Sequence, residues 1–245
     1  MRLAIIPARG GSKRIPKKNI KNFLGKPLIA YSIEVAIKSG LFDKVVVSTD
    51  SKEIAEVAMI YGAEVPFFRP AELSDDYVGT GLVVAHTIQW FIDHHLEFSE
   101  ICCIYATAPL LQEKYLKQGL AALLQPNVEF SFSVCEFSYP IFRGFKITKE
   151  NRIEMLFPEH AHTRSQDLEK AYHDAGQFYW GKQNAFLKLL SALRAYSVPI
   201  VLPHYLVQDI DSEDDWCRAE LLYQALHPKK IERENQEKGV ELHDR

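Results

Sequence analysis

The sequence has no apolar run long enough to span a bilayer, so no transmembrane helix is expected within it. It also lacks a signal-peptide core: in Met1-Arg2-Leu3-Ala4-Ile5-Ile6-Pro7-Ala8-Arg9 the apolar stretch is short and a charge follows at once. These residues read instead as a first β-strand. Cysteine is scarce, with four residues and no Cys-x-x-Cys pair. Cys102 and Cys103 are neighbours in an apolar run, so they point to opposite faces of a strand. That pattern favours buried free thiols in a reducing cytoplasm over a disulfide framework or a zinc site. An excess of one charge is missing too: 29 basic and 32 acidic residues leave a net charge of -3. Overall charge therefore gives no reason to expect nucleic acid or an anionic membrane as a partner, and any anion site must come from local clustering. No internal repeat is present.

What is there suits one large α/β domain: 245 residues, of which 47% are hydrophobic. The first half alternates short β-branched runs with helical patterns. Strands are expected over residues 3–7, 44–48 and 101–105, and helices over 28–39, 52–61, 80–94 and 113–124. Gly40 is placed as a C-cap and Thr49-Asp50-Ser51 as an N-terminal cap. Val45, Val46 and Val47 in a row suit a parallel strand covered on both faces. The alternation predicts a mostly parallel, doubly wound sheet, with ligands bound beyond the carboxyl ends of the strands. The loops after Ile6, Ser48, Tyr105 and Ile210 are thus the ones to watch. Later, residues 130–134 and the short aromatic run 177–180 read as strands. Ser212 and Asp215 read as a capping box opening a last helix. The expected organisation is one domain over 1–227, with an insertion at about 137–172 that packs on a second subunit. Beyond it lies a polar, flexible tail over 228–245.

Two constellations carry chemistry. The first is Pro7-Ala8-Arg9-Gly10-Gly11-Ser12-Lys13-Arg14-Ile15-Pro16-Lys17-Lys18-Asn19, directly after the first strand. Gly10 and Gly11 allow a tight bend that turns N–H groups toward an anion, and Arg9, Lys13 and Lys18 can each approach a phosphate. The run is neither a Walker A loop nor a dinucleotide fingerprint. A solvated basic turn is the competing reading, and its place after the first strand favours function. The second is Asp209-Ile210-Asp211. In an extended segment both carboxylates face one way and can reach one hard cation. Spacing alone equally allows Asp211 and Ser212 to be no more than the start of the last helix.

The run 5–19, with Val45-Val46-Val47-Ser48-Thr49-Asp50, Arg69-Pro70-Ala71-Glu72-Leu73, Ala106-Thr107-Ala108-Pro109-Leu110 and Asp209-Ile210-Asp211, resembles the CMP-sialic acid synthetase family of cytidylyltransferases. The ordered set covers the chain to about Leu226. The resemblance implies a Rossmann-like nucleotidyltransferase fold, a homodimer, and the substrates CTP and an acidic nine-carbon sugar, with Mg²⁺ as cofactor. It implies a nucleotide site of Ala8, Arg9, Gly10, Gly11, Ser12, Lys13, Lys18, Asn19 and Arg69. Within it Arg9 and Lys13 contact the triphosphate and Arg69 lies near the cytosine. It also favours the metal-pair reading of Asp209 and Asp211, and makes Arg9, Lys13 and Asp211 the catalytic set. Arg69 otherwise reads as a surface or helix-facing arginine.

The sugar pocket is expected to draw on Tyr105, Thr107, Arg164, Gln166, His173, Asp174 and Gln177. Arg164 would pair with the sugar carboxylate; the competing reading is an ion pair with Asp167 or Glu169. The stretch Tyr172-His173-Asp174-Ala175-Gly176-Gln177-Phe178-Tyr179-Trp180-Gly181 departs from the Asn-Gly segment of sialic acid enzymes and resembles the pseudaminic acid branch of the family. Tyr105-Ala-Thr-Ala-Pro109 likewise replaces Gln-Pro-Thr-Ser-Pro. Zinc at His160, His162, His173 and Asp174 is disfavoured by loose spacing and the lack of a cysteine. Phe178, Tyr179 and Trp180 read as core more readily than as a ligand platform. A catalytically inactive nucleotide-binding regulator is the alternative from another class. A nucleic-acid binder is weaker, because the basic residues cluster in one loop.

Overall fold

In the computed structural model, which describes residues 1–75 and 77–228, the β-branched runs line up as one six-stranded sheet. Its strands are β1 (Arg2–Pro7), β4 (Lys44–Ser48), β5 (Glu100–Ile104), β6 (Phe130–Glu136), β9 (Tyr172–Lys182) and β10 (Ser197–Leu202). Two small hairpins lie outside it: β2 (Asn22–Phe23) with β3 (Lys26–Pro27), and β7 (Phe145–Ile147) with β8 (Ile153–Met155). The helices are α1 (Leu28–Ser39), α2 (Lys52–Ile60), α3 (Thr80–Asp93), α4 (Glu113–Leu123), α5 (Gln183–Leu187) and α6 (Glu213–Leu226). The sheet order is β10-β6-β9-β5-β1-β4.

The sheet is parallel except for β9, which runs antiparallel between β5 and β6. The short strand expected over 177–180 is 11 residues long. Its polar beginning, Tyr172-His173-Asp174, pairs with Val134–Glu136 after a register shift, and Gly176 takes a left-handed turn there (φ 63°). Apolar periodicity is silent over such a segment; β10, by contrast, is the β-branched run Ser-Val-Pro-Ile-Val-Leu, a strand signal that the sequence reading missed. Reversal of β9 matters for function: its first residues lie at the edge where the parallel strands end.

Helices cover both faces. Ile6, Cys102, Ile104, Phe178 and Trp180 pack with α1, α2 and α4 on one side. Leu3, Ile5, Ile101 and Cys103 pack with α3 and α5 on the other. Cys102 and Cys103 thus part as the period-two rule requires. The α4 helix approaches the sheet closely enough that a Cβ at Gly119 would lie 2.6 Å from Trp180 Cδ1.

A third cluster joins Ile15, Phe23, Leu28, Tyr31, Ile210, Trp216 and Tyr223. It fixes α6 behind the basic loop, and it contains both Ile15 of that loop and Ile210 between the two aspartates. The α6 helix opens with the expected capping box, Ser212 Oγ accepting from Asp215 N–H at 3.3 Å and Asp215 Oδ2 from Ser212 N–H at 2.9 Å. Gly40 caps α1 in the left-handed region (φ 65°).

The segment around the β7–β8 hairpin stands apart from the sheet. Phe145, Ile147, Ile153 and Leu156 on it are exposed. No helix among the described residues is long and apolar enough to cross a membrane. Apart from Pro228, the tail expected over 228–245 falls outside the described residues.

Candidate active site

The loops after β1 and β5 converge, as the parallel topology requires, with the segment between α2 and α3 on a cleft of about 560 Å³. Of the residues singled out from the sequence, Arg9, Ser12, Lys13, Lys18, Asn19, Arg69, Tyr105, Thr107 and Asp211 line it. A shallower depression of about 1000 Å³ lies near the opposite edge, around Glu97, Glu100, Glu129 and Lys182. Its charges are of both signs and do not converge, so the chemistry belongs to the smaller cleft.

The basic loop is braced from within. Asn19 is buried, and its amide donates to the Arg9 carbonyl at 3.0 Å. Lys17 takes a left-handed conformation (φ 53°) and pairs with Glu53 at 2.7 Å. Neither glycine takes a left-handed conformation, and Gly10 departs from the expected anion-facing amide. Gly10 is needed because a Cβ there would come within 3.1 Å of Ser51 Cβ. Its N–H donates to Asp50 Oδ1 at 2.8 Å, so that amide ties the loop to the β4–α2 connection rather than pointing at an anion. Gly11 has open space around its Cα. Ala8 is buried, and its N–H continues the sheet by donating to the Ser48 carbonyl at 2.9 Å.

Arg69 is a buried cation in the cleft wall, contrary to the reading of a surface arginine. Its Nε donates to Ser74 Oγ at 3.1 Å and its Nη1 to the Ser48 carbonyl at 3.4 Å, with Asp50 at 4.0 Å. Burial holds its pKa below the ordinary arginine value; Asp50 opposes this and Arg9 adds to it.

Of the acidic pair, Asp211 lines the cleft and Asp209 does not. Asp211 is held by Arg14 Nη1 at 2.9 Å and by Lys18 Nζ at 3.3 Å, and Lys18 also donates to the Ile210 carbonyl at 2.5 Å. Asp209 has its pKa raised, first by desolvation and then by the neighbouring Asp211 charge, with Lys18 opposing. Two carboxylates that repel one another at the edge of a cation-lined cleft are the donor set a hard divalent ion takes, together with phosphate oxygens. No group of three or more histidine, cysteine, aspartate or glutamate side chains suited to a metal occurs among the described residues. Arg14 was the residue missed in this loop. It lay within the basic run, but only the fold shows which of its cations meets Asp211.

The remaining predicted residues sit elsewhere. Gln177 is buried inside, its Nε2 donating to the Leu206 carbonyl at 2.5 Å and its backbone carbonyl accepting from Tyr105 N–H at 2.9 Å. It therefore braces β5, β9 and the approach to Asp209, while its buried Oε1 has no hydrogen-bond partner among the described residues. Asp174 accepts from the Tyr179 hydroxyl and from Gly176 N–H at 2.9 Å. His173 packs edge-on against Phe137 and pairs through Nδ1 with the Asp174 carbonyl at 2.8 Å. Arg164 forms an ion pair with Asp167 at 2.7 Å, one of the two competing readings, and is largely exposed. It and Gln166 do not line the cleft. Phe178 and Trp180 are core, whereas Tyr179 on the other face lines an apolar recess of about 200 Å³ beside Tyr105, with Phe186 and Leu190. That recess opens next to the basic cleft, sharing Thr80 and Tyr105 with it. Burial raises the Tyr105 and Tyr179 pKa values well above the ordinary range, so both hydroxyls stay protonated donors.

A doubly wound sheet with a basic loop after its first strand, its cations meeting Asp211 in the cleft, is the architecture of a nucleotidyltransferase. The family model for cytidylyltransferases matches residues 3–208, and the chain belongs to that family. It is 49% identical over 225 residues to a pseudaminic acid cytidylyltransferase of Campylobacter jejuni, a match covering 92% of this chain and 97% of the relative. An N-acylneuraminate cytidylyltransferase of Danio rerio is 36% identical over 220 residues, 89% of this chain and 49% of the relative. Among solved structures, a CMP-2-keto-3-deoxy-manno-octonic acid synthetase complexed with CTP superimposes with a TM-score of 0.66 at 15% identity, covering 90% of this chain and 97% of that one. That likeness establishes the shared fold.

Proposed function

We propose that this cytidylyltransferase joins CMP, from CTP, to pseudaminic acid and releases pyrophosphate. The observation that carries the sugar assignment is the 49% identity to the Campylobacter jejuni enzyme over nearly the whole of both chains. The Tyr172–Lys182 strand adds support, because its antiparallel course brings His173 and Asp174 to the edge where the parallel strands end. The apolar recess beside Tyr105 and Tyr179 suits the methyl of an N-acyl group.

In this reading the anomeric hydroxyl of the sugar attacks the α-phosphorus; a new O–P bond forms as the bond to the β-phosphate oxygen breaks. Arg9, Lys13 and Lys18 hold the triphosphate and offset charge that builds on the leaving pyrophosphate. Arg69 flanks the base. Tyr105 and Thr107 close the sugar side of the cleft. Asp209 and Asp211 would hold Mg²⁺, which when bound polarises the α-phosphate and the attacking hydroxyl. Arg164 is the proposed partner of the sugar carboxylate. Its place on the insertion, away from its own cleft, suits a homodimer in which the exposed β7–β8 face is covered by a second copy.

The test is pyrophosphate release with CTP, Mg²⁺ and pseudaminic, sialic, legionaminic or 3-deoxy-octulosonic acid offered singly. Release with pseudaminic acid alone is expected. Release only with another of these acids would keep the reaction and overturn the sugar; CTP binding without release from any of them would point to the inactive regulator.

A further inference from the structure

The two oxygens of Asp211 have separate cationic partners of unlike mobility. Oδ1 faces Lys18, whose side chain is 18% exposed and anchored on the Ile210 carbonyl. Oδ2 faces Arg14, whose side chain is 71% exposed and makes its one described ion pair here. Ile15 and Ile210 are both buried in the cluster beneath α6, so the backbones of the loop and of the acidic segment stay in register with each other. Of the two cations on Asp211, Arg14 is the more exposed and has the room to swing. It also lines the cleft that faces Arg9, Lys13 and Arg69, where a triphosphate would offer it phosphate oxygens that accept two parallel hydrogen bonds.

We propose that Arg14 is a positioning residue for Asp211 that makes divalent-cation entry depend on the nucleotide: it holds Oδ2 until phosphate oxygens draw it away. The inference rests on the reading of Asp209 and Asp211 as the cation-holding pair. A divalent ion arriving alone must displace Arg14 from Oδ2. One arriving with a triphosphate meets a carboxylate oxygen from which the guanidinium has been taken. Because the pair is exposed, its hold on a competing ion is modest, roughly two- to fivefold in affinity.

The experiment uses Mn²⁺ as the probe, with the unbound ion counted by electron paramagnetic resonance against the full chain. Without nucleotide, Arg14→Ala is expected to bind Mn²⁺ roughly two- to fivefold more tightly than the native protein. Arg14→Lys, which keeps the charge, should return toward native affinity, and adding Asp211→Asn to Arg14→Ala should erase the gain. Equal nucleotide-free affinities for the native protein and Arg14→Ala overturn the proposal. A separate arm measures protein-bound Mn²⁺ in excess of that held by CTP itself. If Asp209→Asn and Asp211→Asn each leave that excess unchanged, the metal-pair reading fails and this inference with it. If they lower it while Arg14→Ala matches native in the nucleotide-free arm, only the role of Arg14 is lost.

Discussion

Replacing Arg69 with methionine separates the bracing bonds that this side chain makes in the structure from the nucleotide contact proposed for it. Methionine retains the packing of the aliphatic stem out to about the Nε position but removes the guanidinium, with its charge and every donor. Two hydrogen bonds are lost, to Ser74 Oγ at 3.1 Å and to the Ser48 carbonyl at 3.4 Å. Ser74 Oγ still has a partner, since it donates to the Pro70 carbonyl at 2.9 Å. The bond to Ser48 is long, and the buried cation already bears a desolvation penalty, visible in its depressed pKa. Charge-assisted bonds are worth about 1.5–3 kcal/mol each under good geometry. With one bond long and the desolvation penalty relieved, the net loss comes to about 1–3 kcal/mol. For a domain of this size that lowers Tm by roughly 2–10 °C, read by thermal denaturation. CTP affinity, read by calorimetry on the folded variant at low temperature, should fall by roughly tenfold, as one charged contact is worth. A lower Tm with unchanged CTP affinity would refute the nucleotide role and leave Arg69 a structural brace. Unchanged Tm and unchanged affinity would refute both.

Asp209→Asn removes a carboxylate whose folded pKa is raised. The sign follows: the penalty for ionising Asp209 in the folded state is absent below its ordinary value of 3.8, grows as pH rises through the raised value, and is complete above it. The variant should therefore be more resistant to urea than the native protein at neutral pH, with the gap closing on acidification; a gap that widens toward acid contradicts the argument. The same variant should lose most of its Mg²⁺-dependent turnover, as should Asp211→Ala, measured by pyrophosphate release. Gly119→Ala places a Cβ 2.6 Å from Trp180 Cδ1 and 2.8 Å from Phe178 Cε2, so it should cost about 1–3 kcal/mol of stability, seen as a lower urea midpoint, with turnover per folded molecule unchanged. Arg164→Ala should raise the KM for the sugar and leave that for CTP alone; an effect confined to CTP would move Arg164 to the other substrate.

The sequence by itself determined the elements whose burial is complete. Val45–Val47 admitted only a strand covered on both faces, and the 28–39 pattern ending at Gly40 only a helix with a left-handed cap. It also determined the chemical character of the cleft, because a basic loop after a first strand and an Asp-x-Asp segment are local patterns. It could not reveal the full length and reversed course of β9, since exposed polar residues such as His173 and Asp174 carry no apolar period; β10, Ser-Val-Pro-Ile-Val-Leu, was legible and was missed. Nor could it sort the polar side chains by partner. Gln177 looked like a sugar ligand until the β-sheet placed it inside, against the Leu206 carbonyl. Arg69 was expected near the base, with a surface arginine as the competing reading; its burial beside Ser48 and Asp50 is visible only in the fold. Arg14 was one cation among several until the cluster under α6 brought Ile15 and Ile210 together and set Arg14 on Asp211. Local pattern fixes what a segment forms and which charges it carries. Which charge meets which is decided by contacts between residues nearly two hundred positions apart, and only the packed tertiary structure contains those.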